Sequence, residues 1–295
     1  MHEHTLCRNE PNRVKGGALQ RLERSIFPDD LGADFNDRLA DAVRLASVSR
    51  GGRDHFSDEP KAYLRSGSLA HLVSSIEKGT RKRKIFAPLK PDFRRGEWSI
   101  PKLCLTSDAD QIMLPVLKVL LVAGWWVKSH EAHPGQKLIH AVRAPETFLK
   151  SWLNRYVSTQ EPEAVFRANL PSARKIAAHF GAEPLMGEEM TEARLIESEL
   201  WRWRYINEAM YAELQGSDRY TTVTYDEFSA DPVGQTQRLL SFAGLPVQTR
   251  HKAAAALMEN RMFGGKRGSA TIETPLAPIM DKVMAGSALP ASWIG

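Results

Sequence analysis

One stretch, Lys137–Tyr156 (KLIHAVRAPETFLKSWLNRY), restricts the possible folds of this chain more than any other. Leu138–Val142 is a short apolar run with the length and composition of a buried strand. Arg143 stands at its end. Pro145 follows where a helix would begin, a position that tolerates proline because the missing N–H would be unpaired there anyway. Phe148, Leu149, Trp152, Leu153 and Tyr156 then recur at three- and four-residue spacing, one apolar helical face. The reading is strand, tight loop, helix, with a cation in the loop and Ser151 on the helix. Free N–H groups at such a helix start, joined by a guanidinium, suit a phosphate.

The same spacing resembles the 3′-phosphate-binding segment of sulfotransferases, the enzymes that use 3′-phosphoadenosine-5′-phosphosulfate (PAPS). That segment has an arginine after a strand, a nearby proline, and a serine eight residues beyond the arginine. Arg143 and Ser151 match it. The resemblance implies that these two residues hold the 3′-phosphate of the cofactor.

Composition agrees with an anionic ligand without naming one. Over 295 residues the net charge is +5, and the apolar and charged fractions, 42% and 25%, are ordinary for a globular chain. Only two cysteines occur, Cys7 and Cys104, so there is no disulfide framework, and a cytoplasmic location is expected. The first thirty residues are too polar for a secretory signal, and the longest apolar run, Val119–Val127, falls well short of a membrane span. The basic run Arg81-Lys82-Arg83-Lys84 lies among prolines and reads as a solvated loop, so no nucleic-acid partner is expected. No GxxxxGK[ST] phosphate loop is present, which disfavours an ordinary ATP- or GTP-hydrolysing enzyme.

Other segments extend the resemblance. Leu45–Ser49 reads as a first strand leading into SRGGRDH, where the family places its 5′-phosphosulfate loop. Arg50, Gly52 and Arg53 are the cofactor-binding residues implied, although Arg53 and Asp54 replace the family's two threonines. Ile112–Val122 reads as a helix and Trp125–Lys128 as a strand. Lys128-Ser129-His130 then resembles the Lys-Thr-His segment of cytosolic sulfotransferases. It implies His130 as general base and Lys128 as stabiliser of charge on the leaving phosphate, with Glu131 in reserve. His130 and His133 lack a second ligand pair at metal spacing, so no metal is expected.

Further along, Thr191 opens a long amphipathic helix through Leu214. Tyr220–Tyr225 alternates as a strand, Ser229 or Asp231 caps the next helix with Pro232 at its first position, and Gly244 closes it. The block Trp201–Pro246 resembles the C-terminal half of sulfotransferases. Lys266, Arg267 and Gly268 are similar to the family's late Arg-Lys-Gly, with the cations inverted, and imply further grip on the 3′-phosphate.

The resemblance implies an α/β fold, a three-layer sandwich around a mainly parallel central sheet, like that of P-loop kinases. Residues 44–295 would form this sulfotransferase-like domain and 1–43 an N-terminal extension. The activity implied is sulfuryl transfer from PAPS to a hydroxyl or amine of a small-molecule or carbohydrate acceptor. Two alternatives stand beside it: a sulfotransferase-fold binding module without activity, and another nucleotide-dependent transferase such as a kinase.

Overall fold

The computed structural model describes residues 5–9, 27–44, 114–118, 123–153, 162–182, 189–248 and 274–294. The chain is mixed helix and strand, and it divides into two compact units, Met1–Trp125 and Trp126–Gly295. The predicted strand at Leu45–Ser49, with Arg50, Gly52 and Arg53, lies outside the described residues, as do Lys266, Arg267 and Gly268.

In the first unit, β1 (Thr5–Asn9) pairs in parallel with β2 (Leu114–Lys118), Thr5 opposite Leu114 and Asn9 opposite Lys118. Between them in sequence, α1 (Phe35–Arg44) buries Phe35 and Leu39, four residues apart on one helical face. The helix expected over Ile112–Val122 is therefore corrected: β2 occupies its centre. Pro115 would break a helical ladder there, whereas a strand of a two-stranded sheet can turn the missing donor away from its partner.

Apart from the first three residues of the next helix, the second unit carries the remaining elements. Helix α2 (Ala123–Ala132) replaces the strand expected at Trp125–Lys128. After a turn comes β3 (Leu138–Val142), then α3 (Pro145–Trp152), α4 (Pro162–His179) and α5 (Glu192–Leu214). Strand β4 (Tyr220–Thr224) runs parallel to β3, Leu138 opposite Tyr220 and Val142 opposite Thr224. The short α6 (Tyr225–Ala230), α7 (Pro232–Phe242), α8 (Leu276–Met284) and α9 (Ala291–Ile294) complete the described chain.

The predicted punctuation is present in detail. Thr191 caps α5 by accepting a hydrogen bond from the Arg194 amide. Asp231 caps α7 through the Gly234 amide, with Pro232 in the first position. Gly244 ends that helix at φ +74°, a conformation glycine adopts without penalty. Pro171 lies inside α4, on its exposed side.

Helices α4 and α5 pack along their length. Phe166, Ala173, Ile176 and Ala177 from α4 are fully buried, as are Ile196 and Leu200 from α5. Each large apolar side chain removed from water in this way contributes about 1.5–3 kcal/mol. The C-terminal segment is fastened to α5 by polar groups. Buried Arg204 donates from Nε to Glu208 and from Nη1 to the carbonyls of Val283 and Ala285, at 2.6 and 2.9 Å. Its guanidinium also lies over the Phe180 ring. Glu208 accepts in turn from the Ala288 amide. A second cluster gathers Val142 at the end of β3 with Trp203, Leu289 and Trp293. The C-terminal helices thus form part of the floor beneath the β3–α3 loop.

Candidate functional site

Parallel pairing in register brings the carboxyl ends of β3 and β4 to the same edge, and in open α/β sheets that edge is where ligands bind. Arg143 follows β3 there, and Tyr225 follows β4. The Arg143 guanidinium sits over the Tyr225 ring, 4.6 Å from its centroid. Arg143 Nε donates to Thr147 Oγ1 at 3.2 Å, while the Thr147 hydroxyl donates to the Ala144 carbonyl at 3.0 Å. Trp203 Nε1 on α5 donates to the Arg143 carbonyl at 2.9 Å. Among the described residues no carboxylate lies within salt-bridge distance of this guanidinium.

Helix α3 completes the arrangement. Its N-cap is Ala144, which has no side-chain acceptor, and no side chain caps the helix. Pro145 has no N–H, so the amides of Glu146 and Thr147 are the donors left at this end. Thr147 and Ser151 are four residues apart and therefore share a face of α3. Ser151 is exposed. A guanidinium, the Ser151 hydroxyl and a helix start with its positive dipole end all lie within about two helical turns of one another along the chain. A phosphate or sulfate ester oxygen is the ligand type that satisfies such donors.

Glu146 stands in the first turn as well, but it is exposed and paired with Lys150 at 2.6 Å, so its charge is partly offset.

Lys128 and His130 lie elsewhere. Both are on α2, where a separation of two residues turns side chains about 200° apart, onto nearly opposite faces. On the expected extended segment, the same separation would have put them on one face. His130 is buried, and its Nε2 lies 3.0 Å from Ser217 Oγ. Ser217 Oγ also accepts from the Arg219 amide. Arg219 Nη1 donates to the carbonyls of His130 and His133, holding the end of α2 against the entry to β4. Burial, and then the Arg219 charge, hold the His130 pKa below its usual 6.5, so the ring is neutral at pH 7. Its Nδ1 is buried without a partner.

His130 therefore meets the amino ends of β3 and β4, and Arg143 the carboxyl ends. Five strand residues separate them, roughly 16 Å. Arg143 precedes α3 and Ser151 lies on that helix eight residues further along, whereas His130 and Lys128 lie on α2. Exposed Glu131, adjacent on α2, is no nearer by sequence position.

Beneath the site, His140 in the middle of β3 occupies a buried polar network. Its Nε2 is 2.9 Å from Asn207 Oδ1, and its Nδ1 is 2.8 Å from the Tyr220 hydroxyl. Asn207 directs Nδ2 to the Trp203 carbonyl, so its Oδ1 is the acceptor and His140 Nε2 must donate. The neutral ring then accepts the Tyr220 proton on Nδ1. Burial pushes the His140 pKa down to about 4 and the Tyr220 pKa upward.

Tyr225, Thr147 and Trp203 escape a reading of the sequence as site residues. Thr147 carries a local signal, a hydroxyl four residues after the arginine. The other two reach Arg143 only through strand pairing and helix packing, 60 or more residues away along the chain.

Among the described residues no group of three or more His, Cys, Asp or Glu side chains is arranged to hold a metal ion. Among them, too, no helix is long and apolar enough to cross a membrane. Set beside protein-family models, curated proteins and solved structures, the chain matches none of them.

Proposed function

We propose that this protein transfers a sulfuryl group from PAPS to a hydroxyl or amine of a small-molecule or carbohydrate acceptor. The observation that carries the reading is the Arg143 guanidinium. It stands at the carboxyl end of β3, outside salt-bridge distance of every described carboxylate and beside the uncapped start of α3. Arg143, the Glu146 and Thr147 amides and the Ser151 hydroxyl would hold the 3′-phosphate. PAPS itself supplies the activated sulfuryl group and a stable leaving nucleotide. The fold proposed with this activity is the three-layer sandwich of P-loop-kinase type, with Arg50, Gly52 and Arg53 at the 5′-phosphosulfate. Lys266, Arg267 and Gly268 would add to the 3′-phosphate grip. A cytoplasmic setting, in keeping with the two cysteines, and no nucleic-acid partner belong to the same proposal.

The acceptor must lose a proton as it attacks sulfur. His130 is in the neutral state that a base requires. Its engagement with Ser217 at the far edge of the strands means that the reading rests on Arg143 and not on His130. That same separation favours a second reading, a nucleotide-binding module that holds the cofactor without turning it over. Calorimetric titration with 3′-phosphoadenosine-5′-phosphate (PAP), beside AMP and ATP, tests both. Binding that requires the 3′-phosphate supports the site. Turnover of PAPS with an acceptor then separates enzyme from module, and equal or absent binding of all three nucleotides removes both.

A further inference from the structure

We infer that Trp203 is a positioning residue for the anion site, acting through Arg143 without touching the ligand; this rests on the reading of Arg143 as a phosphate-binding group. Arginine carries much rotamer freedom, and an arginine that must be ordered at the moment of binding loses affinity to that ordering. Here it is held at three points before any ligand arrives. The indole N–H of Trp203 takes the Arg143 carbonyl at 2.9 Å, Thr147 takes Nε at 3.2 Å, and Tyr225 covers one guanidinium face at 4.6 Å. What remains for a ligand is the pair of terminal nitrogens.

Of the three restraints, the Trp203 bond fixes the backbone, and so it sets where the other two can reach. Arg143 lies in a two-residue loop between β3 and α3, and the first helical hydrogen bond, Phe148 to Ala144, begins one residue later. The carbonyl of Arg143 is thus not held by the helix. Trp203 is itself immobilised. Its ring is buried against Val142, Leu289 and Trp293, and its own carbonyl accepts from Asn207 in the His140 network. Strand β3, helix α5 and the C-terminal helix α9 therefore converge on one indole that orients one arginine.

Trp203→Phe keeps an aromatic ring in the cluster and removes the donor together with part of the indole. PAP affinity should fall about five- to tenfold in the wild-type background, the scale of one net hydrogen bond. In an Arg143→Ala background the same change should alter affinity less than twofold, because the group it positions is gone. Equal weakening in both backgrounds would mean that Trp203 acts as general packing, and no weakening in the wild type would remove it from the site; either result overturns the inference. Trp203→Leu, which also lacks the donor, serves if the phenylalanine variant does not fold. A ligand-free measurement keeps the two readings apart: hydrogen exchange at Arg143 Nε–H, followed by NMR, should quicken at least tenfold in Trp203→Phe. If the wild type binds no PAP, the phosphate reading fails while quickened exchange still upholds the positioning role. Unchanged exchange overturns it.

Discussion

Replacing His140 with glutamine should remove a large part of the protein's sensitivity to acid. The ring is buried in the middle of β3, accepts from Tyr220 and donates to Asn207, and its pKa lies at about 4 in the folded protein against 6.5 when unfolded. The folded state thus binds a proton less readily than the unfolded state. Stability from this residue is complete above pH 6.5 and declines as the pH falls towards 4, where the folded ring begins to titrate as well. At pH 7.5 both states are neutral and the linkage contributes almost nothing. At pH 4.5 the unfolded ring is protonated about a hundredfold over neutral, while the folded ring is protonated in only about a quarter of molecules. The difference comes to about 2.5 kcal/mol, at about 1.4 kcal/mol per pH unit over most of the interval. Urea unfolding of wild type and His140→Gln at the two pH values gives the measurement. The variant is expected to be less stable at pH 7.5, since the Tyr220 hydroxyl loses its acceptor, by about 1–3 kcal/mol. The gap between the proteins should then shift by about 2.5 kcal/mol in the variant's favour at pH 4.5. A gap that stays constant within about 0.5 kcal/mol would refute the burial argument and mean that His140 titrates normally in the folded protein.

Four further outcomes are expected. Arg143→Ala should weaken PAP binding by about 1.5–3 kcal/mol, roughly 10- to 150-fold, because a charge-assisted contact is lost; calorimetry reads it, and unchanged affinity would move the phosphate elsewhere. His130→Ala should leave PAP affinity within about twofold of wild type, since the ring lies a strand's length from Arg143; a larger loss in the same titration would contradict the placement of α2. Arg204→Ala should cost about 3–5 kcal/mol in urea unfolding, because it removes a buried cation from partly buried Glu208 and from the carbonyls of Val283 and Ala285. Asp231→Ala should cost about 1 kcal/mol by the same assay through loss of the α7 cap.

The difference between what could be read from the sequence and what could not follows the range of the interactions. The β3–Arg143–α3 unit is legible because each of its signals is local: an apolar run, a proline at the first helical position, and an apolar stripe of period near 3.6. The caps Thr191 and Asp231 and the stop at Gly244 are legible for the same reason. Residues 123–132 show the opposite case. AGWWVKSHEA contains two adjacent tryptophans and a valine, residues at home in strands, and short apolar runs do not distinguish helix from strand by themselves. The helix is settled by tertiary contacts: Arg219 holds the carbonyls of His130 and His133, and Ser217 holds the His130 ring. A similar ambiguity, resolved in the other direction by Pro115, explains β2.

The same distinction bears on the site itself. An arginine after a strand is a common feature and by itself says little about a ligand. What makes Arg143 notable is that the restraints on it are neutral: an indole N–H on its carbonyl, a hydroxyl on Nε and an aromatic face, with no described carboxylate to cancel the charge. A structural arginine in this chain looks different. Arg204 is buried with Glu208 and turns its remaining donors to main-chain carbonyls, so its charge is consumed within the fold. Arg143 is oriented without being neutralised, and positioning a charge in this way stabilises an incoming anion more than it stabilises the protein. Burial of Trp203 and the pairing of β3 with β4 are what hold that charge at the carboxyl edge, so the parts of the fold that cannot be read locally are the ones that turn a loop arginine into a binding group.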